Sequence, residues 1–96
     1  MSTVRIIEEH EGPRGWRYDA EIDRGGEPER VEMTLAYVDH DHWSGGRVPP
    51  SKLAQRVLEV LLEFEPSLPM PERFDASTAR RWSAGLDDRL LAEFGT

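Results

Sequence analysis

The chain contains no cysteine. That removes disulfide frameworks, thiolate zinc sites, iron–sulfur clusters and cysteine nucleophiles together, and it fits a reducing compartment. Long apolar runs are also missing. No window approaches the ~20 residues needed to span a bilayer, and the opening Met-Ser-Thr-Val-Arg-Ile-Ile places no apolar run behind a basic stretch. The expectation is a cytoplasmic chain without a membrane contact. Positive charge is short as well: nineteen acidic residues stand against twelve basic ones, a formal charge of −7 spread over both halves. Affinity for a phosphate backbone comes largely from cations that displace counterions, so nucleic acid is a poor partner here. Lysine is almost absent, Lys52 being the single one, and Arg80-Arg81 is the one adjacent basic pair.

What is present fits one small domain. Ninety-six residues leave no room for a second independent core. Residues 1–96 are read as a unit with a β-meander over 1–46 and a helical part over 47–96. Val4 to Glu9 is β-rich and runs into Gly12-Pro13-Arg14-Gly15, a reversing turn. Trp16, Tyr18, Ala20 and Ile22 then alternate with Arg17, Asp19, Glu21 and Asp23, the period of a half-buried strand. After Arg24-Gly25-Gly26-Glu27-Pro28, Val31, Met33, Leu35 and Tyr37 alternate in a third strand. Pro49-Pro50-Ser51 opens a helix, with Ser51 as a cap, and Pro66, Pro69 and Pro71 form a stiff connector. Asp75 caps a second helix, and Asp87-Asp88 begin a third. The fold class is therefore α+β: a three-stranded antiparallel meander (strands near 4–10, 16–24 and 30–40), then two or three helices (near 51–65, 75–84 and 87–94) packed on one sheet face. The expected core is Ile6, Trp16, Tyr18, Ile22, Met33, Leu35, Val57, Leu61, Phe64 and Trp82.

The densest polar cluster is Tyr37-Val38-Asp39-His40-Asp41-His42-Trp43. If the third strand persists through it, Asp39 and Asp41 share one face and His40 and His42 the other, so each like pair can meet one ion. A small metal-dependent enzyme or metal binder built on these four residues is one function class. The Asp-His and Gly-Gly here are similar to parts of the His-x-His-x-Asp-His motif of the metallo-β-lactamase superfamily, but His40 abuts Asp41, where that motif spaces its histidines two and four residues ahead. The plainer reading is a polar strand end entering a glycine turn. Gly25-Gly26 and Gly45-Gly46 lack a phosphate-loop pattern, and no cofactor is expected.

The second class is a non-catalytic protein-interaction or regulatory module. On the first helix the apolar residues cover an arc of roughly 200°, wider than the ~100° stripe a surface helix needs. Leu58 and Leu62 are therefore candidates for a contact with a partner or a second copy. Tyr37 and Trp43, an aromatic expected to be exposed beside the Gly-Gly loop, and Arg80 and Arg81, able to grip a carboxylate or phosphate, complete the candidate binding residues. The order strand, strand, strand, helix is loosely similar to small antitoxins carrying a partial double-stranded-RNA-binding fold. That likeness is one of architecture, since Gly12-Pro13-Arg14-Gly15 leaves no space for the helix those proteins carry between their first two strands. An antitoxin-like protein, or an acidic decoy of nucleic acid resting on net charge, is a further alternative.

Overall fold

In a computed structural model, which describes residues 2–95, the chain runs β1 (Thr3–Glu11), β2 (Gly15–Asp23), β3 (Glu29–Ala36), α1 (Tyr37–Ser44), α2 (Pro50–Phe64), β4 (Arg73–Asp75), α3 (Ala76–Ala79) and α4 (Leu86–Phe94). The α+β class and the strand-strand-strand-helix order are as expected from the sequence. The sheet order is β1-β2-β3-β4. The first three strands pair antiparallel, while β4 adds a parallel edge through Glu32↔Arg73, Met33↔Phe74 and Thr34↔Asp75.

Alternation divides the sheet into two chemically different faces. Tyr18, Ala20, Ile22, Val31, Met33 and Leu35 are buried in one core with Leu53, Val57, Leu58, Leu61, Leu86 and Leu90 of the helices. The opposite face carries charged rows. Arg5 and Arg30 flank Glu21 at 2.9 and 3.6 Å, and Arg17 and Arg73 flank Glu32 at 3.9 and 4.0 Å. β1 changes parity within its length. Its register shifts between Ile6 and Glu8, so Ile7 is an extra residue opposite β2; Val4 and Ile6 oppose the inward Ile22 and Ala20, whereas Glu9 and Glu11 oppose the inward Tyr18 and Trp16.

α2 begins with Pro50 at its first helical position and Pro49 as the cap, without a side-chain cap bond; Ser51 is therefore inside the helix and is not its cap. Asp75 does cap α3, accepting from the Ser77 N–H at 2.9 Å. The helix expected over 75–84 is much shorter. β4 takes Asp75, and beyond Ala79 the chain tightens into i→i−3 turns, Arg81 N–H to the Thr78 carbonyl and Trp82 N–H to the Ala79 carbonyl. Arg56 and Arg89 tie α4 to α2: Arg56 grips Glu93 at 2.7 and 3.1 Å, and Arg89 reaches Glu63 and Glu93 at 3.2 and 2.8 Å.

Three packing expectations need correction. Phe64 is 43% exposed, because it ends α2 and lays its ring over Gly85. Ile6, Trp16 and Trp82 are half-buried at the rim of the core, Trp82 against Phe74 with ring centroids 4.9 Å apart. Leu58 and Leu62 are buried at 0% and 5% exposure, so the surplus apolar arc of α2 is covered by the chain itself.

Truncating the fully buried Leu61 to alanine should cost about 2 to 5 kcal/mol in a denaturant melt. Gly15 is under a different constraint: a Cβ there would lie 2.1 Å from the Leu35 carbonyl oxygen. Gly15→Ala should then lower stability by about 1 to 3 kcal/mol, although it adds only a methyl group.

Candidate functional site

The expectation that β3 continues through residues 37–40 is overturned at Ala36. Tyr37 donates its N–H to the Arg14 carbonyl at 2.9 Å, and from there the chain turns into α1. Asp39 sits in the first turn of α1, where negative charge complements the helix dipole, and Gly45 closes it in the left-handed conformation with its N–H on the Asp41 carbonyl. Residues two apart on a helix lie about 200° apart. The two faces that strand geometry would have created, Asp39 with Asp41 and His40 with His42, are consequently not formed.

α1 instead distributes the cluster in three directions. Val38, Asp41 and the αL glycine face solvent. Tyr37 and His40 turn toward the β1–β2 hairpin: Trp16 meets both rings edge-on, at 4.7 Å to Tyr37 and 5.2 Å to His40. The Tyr37 hydroxyl lies 2.6 Å from Glu11 Oε2, and His40 Nε2 donates to the Val48 carbonyl at 2.7 Å. The hydrogen bond to Glu11 is the main reason that the Tyr37 phenol is raised above its ordinary pKa. Tyr18 is raised more strongly, by burial first and then by its 2.6 Å hydrogen bond to Glu9. An open groove of about 620 Å³ runs past this hairpin, lined by His10, Arg14, Trp16, Arg17, Thr34 and Asp75 among others.

The third direction gathers four of the candidate residues. Trp43, expected to be exposed, is fully buried, and its indole N–H donates to Asp87 Oδ1 at 2.7 Å. Arg80 reaches the same oxygen through Nε at 3.0 Å and Nη2 at 2.9 Å, with its guanidinium 5.1 Å from the Trp43 ring centre. His42 Nε2 lies 3.2 Å from it. Asp39, buried beneath, is 3.8 Å from Arg80 Nη1. One carboxylate in the first turn of α4 thus collects donors from α1 and from the turn after α3. Arg81, next to Arg80, points to solvent and takes no part. No family model matches the chain, and neither a curated protein nor a solved structure matches it.

Asp87 was legible in the sequence only as a helix N-terminal charge; nothing in its spacing reveals that Trp43 and Arg80 converge on it. Burial would raise its pKa, but the hydrogen bonds from Trp43 and Arg80, the Arg80 charge and His42 outweigh this and hold it below the ordinary value. Asp39 moves the other way. Its burial, with the charge of Asp75, raises it against the opposing pull of Arg80 and His42. Two neighbouring carboxylates are pushed apart, yet each is occupied in joining helices, which is the arrangement of a structural clasp.

A second grouping lies on the open sheet face. The ligand atoms of Glu8, His10 and Asp19 all fall within 4.8 Å of one another, the group of that kind among the described residues. It includes none of Asp39, His40, Asp41 or His42.

The sign of the Asp87 contribution follows from linkage. A carboxyl whose folded pKa is depressed adds stability that is present above its unfolded value, ~3.9, and is lost as pH falls through the folded one. Asp87→Asn should therefore cost about 1 to 2 kcal/mol at pH 7, the low end reflecting its third-exposed carboxylate, and should flatten the loss of stability below about pH 4. Asp39→Asn should leave stability at pH 7 unchanged or raise it, since the charged form is the one that burial penalises. Denaturant melts of both variants across pH 2.5 to 7 check the contrast.

Proposed function

We propose that this protein is a non-catalytic protein-interaction or regulatory module that receives an extended segment of a partner protein along β1. The observation that carries this reading is the position of β1: nine residues long, it forms one edge of the sheet with β2 as its sole strand neighbour among the described residues. An edge strand presents unpaired backbone N–H and C=O groups, and strand addition is a recurring mode of recognition. The other edge, β4, has three residues and offers far less.

The chemistry of β1 favours a selective contact. Arg5, Glu8, Glu9, His10 and Glu11 line a strand already twisted by its bulge, a combination that discourages indiscriminate edge pairing while rewarding a segment of matching charge. The Glu8–Glu11 half calls for a basic partner. Burial of Leu58 and Leu62 moves the contact away from α2, where the apolar arc had suggested it. The convergence of Trp43, His42 and Arg80 on Asp87 further supports a non-catalytic role for the residues that looked most reactive, because their polar atoms are spent on holding α1, α3 and α4 together.

Cross-linking in the native host followed by amide exchange on the recovered complex tests the reading. Cross-links clustered on residues 3–11, with slowed exchange of β1 amides in the complex, are the expected result. Slowed exchange confined to the helices, with β1 unchanged, would remove strand addition. Sedimentation of the isolated protein at micromolar concentration separates a foreign partner, expected to leave a monomer, from a second copy of this chain.

A further inference from the structure

We infer that Glu8, His10 and Asp19 form a binding site for a divalent transition-metal ion of the zinc type on the open face of the β1–β2 hairpin. The sequence pointed to histidines 40 and 42; the geometry points to the third one. The bulge at Ile7 sets the parity of the second half of β1 so that Glu8 stands directly opposite Asp19 and His10 directly opposite Arg17, all on the solvent face of the sheet. Glu8 and His10, two residues apart on a strand, project side by side. His10 Nε2 lies 3.0 Å from Glu8 Oε2, and the Asp19 carboxylate completes a set of three ligand atoms within 4.8 Å of one another.

The charge arrangement around these residues is a second, separate indication. Like charges directly opposite across an antiparallel pair destabilise a sheet. Two other carboxylates on this face are answered: Glu21 by Arg5 and Arg30, Glu32 by Arg17 and Arg73. Glu8 and Asp19 are the facing pair left without an arginine or lysine ion pair among the described residues, and Asp19 also faces Glu32 across β3. Arg17, two residues before Asp19 on the same face and opposite His10, is directed to Glu32. A dication between Glu8 and Asp19 would turn their repulsion into attraction.

The donor set defines the class of ion. One imidazole nitrogen with two carboxylate oxygens suits zinc and its first-row neighbours, whereas calcium and magnesium favour all-oxygen shells. Bonds of about 2.0 to 2.2 Å in tetrahedral geometry set ligand atoms about 3.3 to 3.6 Å apart, so the widest separation in the set must close by up to about 1.5 Å while the Glu8–His10 pair opens slightly. Glu8 and His10 have the freedom to do so, their side chains being 60% and 47% exposed. Water fills the remaining position, which leaves the ion open to a ligand from outside.

The test uses the full-length chain freed of any histidine tag, titrated with zinc chloride by calorimetry while the imidazole resonances of His10, His40 and His42 are followed by NMR. One ion per chain, a shift confined to His10, and at least tenfold weaker binding in His10→Ala and Asp19→Asn are expected. The double variant His40→Ala/His42→Ala should bind within about twofold of the parent. Both site variants alter an exposed face, and an unchanged melting temperature without metal confirms that they remain folded. Magnesium chloride at the same concentration should not compete. The inference is overturned if the parent binds no zinc up to 1 mM, if His10→Ala binds as tightly as the parent, or if the double variant is the one that loses the ion.

Discussion

Everything in this fold answers to the girth of α2. Leu53, Ala54, Val57, Leu58, Val60, Leu61 and Leu62 are all buried on a helix of fifteen residues, more than one sheet face can cover. One side meets the inner residues of β1, β2 and β3, and the other needs a lid. α4 supplies it with Leu86 and Leu90, held in place by the Arg56–Glu93 and Arg89–Glu63 bridges. Because α4 must lie there, its first turn comes beside α1, and the Asp87 carboxylate finds the Trp43 indole and the Arg80 guanidinium. The polar clasp is thus downstream of an apolar requirement: hydrophobic burial sets the helix positions, and hydrogen bonding fixes their ends.

The two faces of the sheet divide labour in consequence. The inner face is committed to the core. Among the described residues the outer face carries no helix but rows of opposite charge whose members, being solvated, contribute little to stability individually. The strand-addition edge and the metal site proposed above both lie where the core makes no demand, at the β1 edge and on the outer face.

How much of this could be read from the sequence depends on how local each signal is. β2 and β3 were legible because Trp16 to Asp23 and Val31 to Leu35 alternate cleanly and glycine-rich turns bound them. α2 was legible because its apolar residues keep a helical period over fifteen positions. α1 was not, since Tyr37-Val38 favours a strand and the apolar side chains of the helix, Tyr37, Val38 and Trp43, do not line up on one face, leaving no stripe to recognise. Its true signals were the acidic first turn at Asp39 and the paired glycines at its end. β4 escaped notice because three residues after a proline-rich connector carry no period at all. The burial of Trp43 and the meeting of Glu8 with Asp19 are tertiary facts: the first depends on where α4 lands, the second on a register displaced by one residue.

That displacement makes β1 a strand written in two reading frames. Upstream of Ile7 the even-numbered residues Val4 and Ile6 look inward; downstream the odd-numbered Glu9 and Glu11 do. Loss of Ile7 would restore a regular ladder and leave Glu8 opposite Asp19 and His10 opposite Arg17, so the strand can shed its extra residue without changing which face its distal half presents. Ironing out the bulge at unchanged length would instead slip the distal half by one residue, setting Glu8 against Tyr18 and His10 against Trp16 and exchanging the chemistry of the two surfaces. The extra residue at Ile7 therefore acts as slack: the outward placement of Glu8 and His10 survives its removal but not its absorption into the ladder.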